Sequence, residues 1–345
     1  PLLRGFGTDV NLAQIRIART RVESSEWDLR RQVIDVITQI EYAYNDLHTA
    51  FLRQRVSEKA QQLARQLMED NRKRVEIGTM TPLDITTARA DVAAREEAVI
   101  LARREVLDNQ NVLKRLVTDD IRHLLALRIE IAPPPSPIVR PDVESGIANA
   151  LELRPEYRQA ILELQRQNIG VKLRKNETLP RLDLVGSLNL LGFDNDFATS
   201  VSRIGRRDAT SWSAGAVFSV PIGNNTARGN YNTAKIQAAQ ALLRLYELEQ
   251  QIMVDVDNAA GQITTNRERI ESTEEARRLA QESLEAGEER LRAGTGTTFE
   301  VLELQDRLST AELAELRARS DYNKAVAEYL RQTGTTLRER RVLLQ

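Results

Sequence analysis

"LRAGTGTTFEV" at Leu291–Val301 decides how this chain is read, because "VEIGTMTPLDI" at Val75–Ile85 has the same order. Each carries a Gly-Thr step, a second Thr, then a carboxylate and a β-branched residue. Gly78 and Gly294 stand 216 positions apart (294 − 78), and the same offset relates Asp84 to Glu300. Glycine accepts φ > 0 and ends a helix sharply. Both stretches therefore read as tips of helical hairpins.

Working outward, Thr8 to Ile77 holds no Gly or Pro, and Ile15, Val22, Leu29, Val36, Ala43 and Ala50 recur at heptad spacing. A second row adds Val33, Ile40 and Leu47. That spacing predicts a coiled-coil-like helix, whose roughly 70 residues span about 100 Å at 1.5 Å per residue. After the Gly78 turn, Pro82 suits a first-turn position and a helix runs to about Val117. "APPPSP" at Ala132–Pro137 marks a linker over 118–140. A further helix covers about 141–176, kinked or broken at Pro155.

The period then changes from helical to two. In "LPRLDLVGSLNLLG", Leu182, Leu184, Leu188 and Leu190 alternate with Arg181, Asp183, Ser187 and Asn189. A polar loop of about 17 residues leads to "SWSAGAVFSVPI", where Trp212, Ala214, Ala216, Phe218, Val220 and Ile222 alternate with small or polar neighbours. Such alternation fits a transmembrane β-strand, and equally an ordinary half-buried hairpin. A second long helix follows from about Ala227 to Arg292, and a returning helix reaches about Gln332. "PLLRGFGTDVNLAQIRIA" at the start parallels "VPIGNNTARGNYNTAKIQAA" from Val220. The chain thus holds about one and a half copies of a repeat a little over 200 residues long.

Composition agrees with long helices rather than a thick core: 4% aromatic and 29% charged residues in 345. A net charge of −1 gives no global attraction to nucleic acid or an anionic surface. The absence of cysteine excludes disulfides, thiol nucleophiles and Cys-based metal sites. No run approaches the roughly 20 apolar residues of a spanning helix. The start at Pro1 rather than Met reads as a fragment or processed product. His48 and His123 have no metal-ligand spacing around them. "RGFG" lacks the dinucleotide fingerprint, and paired acids such as Glu96-Glu97 sit on Arg-rich helices as ion-paired faces. No cofactor or metal is expected, and catalysis is disfavoured.

Taken together, "PLLRGFG", "YAYNDL" at Tyr42–Leu47, "ALELRPEY" at Ala150–Tyr157 and the two "G-T-x-T" tips resemble the TolC-like outer-membrane efflux proteins. The resemblance covers essentially the whole chain, through the order and spacing of motifs that are each weak alone. It implies a mostly α fold with a small β part: long antiparallel helices of an α-barrel tunnel plus strands of a trimeric transmembrane β-barrel. Residues 1–117 would form a first-repeat helical hairpin, 118–140 an equatorial linker, and 141–178 a short α-barrel helix. Residues 179–222 would form the strand pair with an extracellular loop, and 223–345 the second-repeat hairpin with a C-terminal equatorial segment. A first short helix and first strand of that plan are not present in the sequence.

The resemblance further implies an exit duct for efflux or type I secretion in the outer membrane of a Gram-negative-type bacterium. Its partners would be two further copies of itself, a periplasmic adaptor, an inner-membrane transporter and outer-membrane lipid, with no nucleic acid. Asp84, Glu300 and Glu303 would line the periplasmic constriction, where like charges attract cations. Helix capping by a first-turn carboxylate is the competing reading of the same residues. Arg74, Gly78, Thr79, Arg290, Gly294 and Thr295 would form the adaptor-docking tips. Leu184, Leu188, Trp212 and Phe218 would face lipid, with Asp183, Ser187, Ser213 and Ser219 toward the lumen. The rival classes are a soluble antiparallel coiled-coil scaffold carrying a hairpin and a periplasmic adaptor subunit. Adaptors, however, flank a single helical hairpin with small β-rich domains.

Overall fold

Ala, Leu, Glu, Arg and Gln, the strong helix formers, fill the sequence between its turns, and helix dominates the computed structural model of the chain. Residues 1–118, 129, 131–134, 138–191, 195–206 and 209–343 are described. The elements are α1 (Thr8–Asn11), α2 (Ala13–Glu76), α3 (Pro82–Val117), α4 (Val143–Leu153), α5 (Pro155–Glu177), β1 (Arg181–Leu191), α6 (Phe197–Arg206), β2 (Ala209–Ser219), α7 (Asn225–Arg292), α8 (Thr298–Gln332) and α9 (Thr336–Glu339). The break expected at Pro155 separates α4 from α5. Of the linker expected over 118–140, the segments 119–128, 130 and 135–137 lie outside the described residues.

Two compact units divide the chain, one of Pro1–Leu29 with Pro155–Gln250 and one of Arg30–Arg154 with Gln251–Gln345. In the first, β1 and β2 pair antiparallel with Leu188 opposite Trp212, Leu182 opposite Phe218 and Ser187 opposite Ser213. Directly opposed residues share a face. One face is thus apolar (Leu182, Leu184, Leu188, Trp212, Phe218). The other carries Arg181, Asp183, Asn189, Ser211 and a Ser187–Ser213 hydroxyl contact at 2.9 Å. Leu2 and Arg4 donate their N–H groups to the oxygens of Leu182 and Pro180, at 2.6 and 3.2 Å. The N-terminal segment therefore pairs along the start of β1. α5 packs on both long helices in this unit. Arg158 lies 5.9 Å from the Trp27 ring centroid, Gln159 donates to the Ser24 oxygen at 3.1 Å, and the Tyr157 hydroxyl donates to Glu249 at 2.7 Å.

One expectation is corrected. The polar loop between the strands contains α6, started by Asp196, whose carboxylate accepts from the Thr199 N–H at 3.1 Å as a helix N-cap does. Its Ser, Thr and Gly content reads as loop because those residues also satisfy backbone groups outside helices. Along the two apolar rows of α2, Ile15, Val22, Leu29 and Val36 are exposed, whereas Ala43, Leu47 and Ala50 are buried. Val106 and Leu113 of α3 pack on Ala43, Leu47 and Ala50.

In the second unit the core is a chain of small helix–helix contacts. Leu67 of α2 meets Leu284 and Leu291 of α7 and Val301 and Leu308 of α8. Ile263 of α7 packs with Tyr322, Ala325 and Val326 of α8. Each such apolar side chain contributes about 1.5–3 kcal/mol when fully buried, so these clusters fix which faces of α2, α7 and α8 meet.

Candidate functional site

The two tips are built alike. Gly78 donates its N–H to the Val75 oxygen at 3.0 Å and Thr79 to the Arg74 oxygen at 2.9 Å. At the second tip Gly294 donates to Leu291 at 3.2 Å and Thr295 to Arg290 at 3.0 Å. With φ of 85° at Gly78 and 76° at Gly294, each helix ends in a Schellman motif with glycine in the left-handed position. The next helix also restarts alike, from Thr81 and Thr297 as N-caps in extended conformation. These caps escaped the reading of the sequence, although Thr-x-x-Asp at Thr81–Asp84 and Thr-x-x-Glu at Thr297–Glu300 spell them out.

The acidic residues near the tips have different partners. The Asp84 carboxylate accepts from the Thr81 N–H at 3.0 Å and from its hydroxyl at 2.7 Å, closing a capping box. At the second tip the Thr297 hydroxyl accepts from the Glu300 N–H at 3.2 Å, and the Glu300 carboxylate turns to Arg290 instead. Glu303 is paired with Arg307 one turn on, at 2.6 Å. So capping describes Asp84, while Glu300 and Glu303 are ion-paired.

The arginines also divide their work. Arg74 crosses from α2 to donate to the Leu291 oxygen at 2.7 Å. Its counterpart Arg290 stays within its own tip. Arg74, Thr79, Asp84 and Gly294 line a common cleft of about 450 Å³ between the tips. Thr295, Arg290, Glu300 and Glu303 lie outside that cleft. Gly78, Thr79, Gly294 and Thr295 are all exposed.

Farther along the same unit, α2 and α8 are joined by a polar seam. The Tyr42 hydroxyl donates to Glu328 at 2.7 Å, and Arg331 joins Glu328 at 2.8 Å and Asp35 at 3.4 Å. Burial alone would raise the Glu328 pKa, but hydrogen bonds from Arg331, Tyr42 and Gln332 outweigh it and hold it at about 2. Burial, the Glu328 hydrogen bond and its charge push the Tyr42 hydroxyl far above its ordinary range. Lys324–Asp46 and Arg340–Glu41 pairs extend the seam. His48 is half-buried within α2, and that burial lowers its pKa; His123 lies outside the described residues. Among the described residues no three His, Cys, Asp or Glu side chains converge as a metal set, and no helix is long and apolar enough to cross a membrane.

Two equivalent long hairpins, with a strand pair bearing an exposed apolar face between them in the chain, fit the fold class of outer-membrane channel proteins. The family model described as "Outer membrane efflux protein" matches residues 6–118 and 146–335, and the chain belongs to that family. Among curated relatives, the outer membrane efflux protein BepC of Brucella suis biovar 1 (strain 1330) is 24% identical over 337 residues. That match covers 96% of this chain and 70% of BepC. Among solved structures, the Campylobacter jejuni CmeC outer membrane channel superposes with a TM-score of 0.78 at 19% identity, over 94% of this chain and 67% of CmeC. The outer-membrane channel OprN gives 0.79 at 21%, over 94% and 71%. At these identities the structural likeness is one of fold.

Proposed function

We propose that the chain is a subunit of an outer-membrane exit duct that passes small molecules or proteins from the periplasm to the exterior. The observation that carries this reading is the β1–β2 pair. Its apolar face is left exposed, with Leu184 at 71%, Leu188 at 66% and Trp212 at 77%, and its other face is the more polar one, with Asp183, Ser187, Asn189 and Ser213 beside Val185 and Val217. A hairpin of a soluble scaffold would bury such a face; a barrel strand gives it to lipid and turns the polar face inward. Leu184, Leu188, Trp212 and Phe218 are accordingly assigned to the lipid boundary.

A strand pair cannot close a barrel alone, and exposed apolar rows on α2 leave helix faces to be covered. Both features support a homotrimer whose helices wall a periplasmic tunnel. The paired tips support docking of a periplasmic adaptor, which links the duct to an inner-membrane transporter. Arg74, Gly78, Thr79, Arg290, Gly294 and Thr295 present the contact groups. Asp84, Glu300 and Glu303 are assigned to the constriction, with Arg290 and Arg307 balancing the two glutamates.

Fractionation of the full-length protein tests the reading. A cross-linkable trimer extracted by detergent from outer membranes is the expected result. Recovery in the soluble periplasmic fraction as a monomer or dimer overturns it in favour of the coiled-coil scaffold.

A further inference from the structure

Short of the tips, α2, α7 and α8 enclose a second cleft of about 330 Å³ whose lining includes Asp70, Asn71, Glu288 and Gln305. Asn71 is fully buried and Gln305 is 4% exposed. The Asn71 amide nitrogen donates to the Thr298 hydroxyl at 3.2 Å. Its oxygen Oδ1, and Oε1 of Gln305, have no hydrogen-bond partner among the described residues.

Buried carbonyl oxygens without donors are unfavourable, and two in one cleft call for the same chemistry. The complement is a group that donates several hydrogen bonds and accepts none, which describes an ammonium. Asp70 and Glu288 lie in the same lining and can face a cation where Arg74 and Arg292 make no short contact with them. Among the described residues, Asp70 and Glu288 keep only long contacts to basic neighbours, 3.9 Å to Lys73 and 3.7 Å to Arg292. Two arginines share the lining: Arg74 is turned to the Leu291 oxygen, and the Arg292 side chain is 67% exposed.

We propose that this cleft binds the primary ammonium group of a small organic cation. Its N–H donors go to Asn71 Oδ1 and Gln305 Oε1, and its charge lies near Asp70 and Glu288. The ligand braces α2 against α7 and α8. This inference stands on the cleft alone and does not depend on the exit-duct reading.

Hydrogen exchange of the full-length protein in detergent tests it, with methylammonium chloride as probe. At about twice the dissociation constant, exchange within residues 63–74 and 288–305 slows about threefold. Tetramethylammonium chloride, which has the charge but no N–H donor, gives no protection at equal ionic strength. The effect is lost in Gln305→Met and reduced in Asp70→Asn with Glu288→Gln, a pair at the more exposed rim that keeps the fold if Gln305→Met does not. No protection by methylammonium, equal protection by tetramethylammonium, or protection by sodium acetate instead each overturns the proposal. So does methylammonium protection that survives in the folded variants.

Discussion

Arg74 donates across the tips to the main-chain oxygen of Leu291 at 2.7 Å, so a side chain from the end of α2 helps cap the end of α7. The same oxygen already accepts from the Gly294 N–H. Arg290, at the equivalent place in the second repeat, binds Glu300 instead. Arg74→Ala should remove a charge-assisted bond of about 1 kcal/mol, discounted for partial exposure. Conductance of the full-length channel in a planar bilayer should rise while circular dichroism shows unchanged helix. A conductance equal to the parent's would mean that this tie has no part in closing the tips.

Gly78 and Gly294 occupy the left-handed region, where a β-branched residue is strained by roughly 1–2 kcal/mol. Gly294→Val should distort the tip without melting α7 or α8. Efflux should fall with trimer assembly intact, and adaptor cross-linking through cysteines placed at Thr79 and Thr295 should drop. Unchanged cross-linking would remove the docking assignment.

The ion pairs at the second tip give the constriction a signed test. Glu300→Ala with Glu303→Ala leaves Arg290 and Arg307 without their carboxylates. Cation selectivity and block by divalent cations should both weaken. Arg290→Ala frees Glu300 and should strengthen that block. Single-channel recordings that show no change in either variant would return Glu300 and Glu303 to a purely structural role.

On the strand pair, Leu188→Arg places a charge on the apolar face opposite Trp212. Near a bilayer midplane this should disfavour membrane assembly by roughly 2–4 kcal/mol. Ser187→Arg on the opposite face should be tolerated far better. Equal yields of membrane-inserted trimer for the two variants would contradict the assignment of faces.

Acid should loosen the seam between α2 and α8. The Glu328 pKa is depressed in the fold, from an ordinary 4.5 to about 2. Its stabilising contribution is therefore complete above about pH 4.5 and lost as pH falls toward 2. Hydrogen exchange around Tyr42 and Glu328 should accelerate through that window. Glu328→Gln should flatten the step and lower stability at neutral pH; a step of undiminished size in that variant would assign it to other carboxylates.

The duplicated hairpins were legible in the sequence because their signals are local. A glycine that must adopt φ > 0, a Gly-Thr step repeated at a fixed offset, and a change of period from helical to two each act over a few residues. The alternation in β1 and β2 likewise matched the two faces. The helix α6 was missed because a single N-cap at Asp196 outweighs a loop-like composition. Which face of α2 is covered was also beyond the sequence: a heptad row shows that Ile15, Val22, Leu29 and Leu47 belong to helix faces, not what lies against them. Tertiary structure alone decided that Arg74 would bridge the tips while Arg290 would not, and that Asn71 and Gln305 would share a cleft. Those outcomes depend on the placement of helix ends more than 200 residues apart in the chain. That placement is set by packing of Leu67, Leu284, Leu291 and Val301 together, and no short-range pattern encodes it.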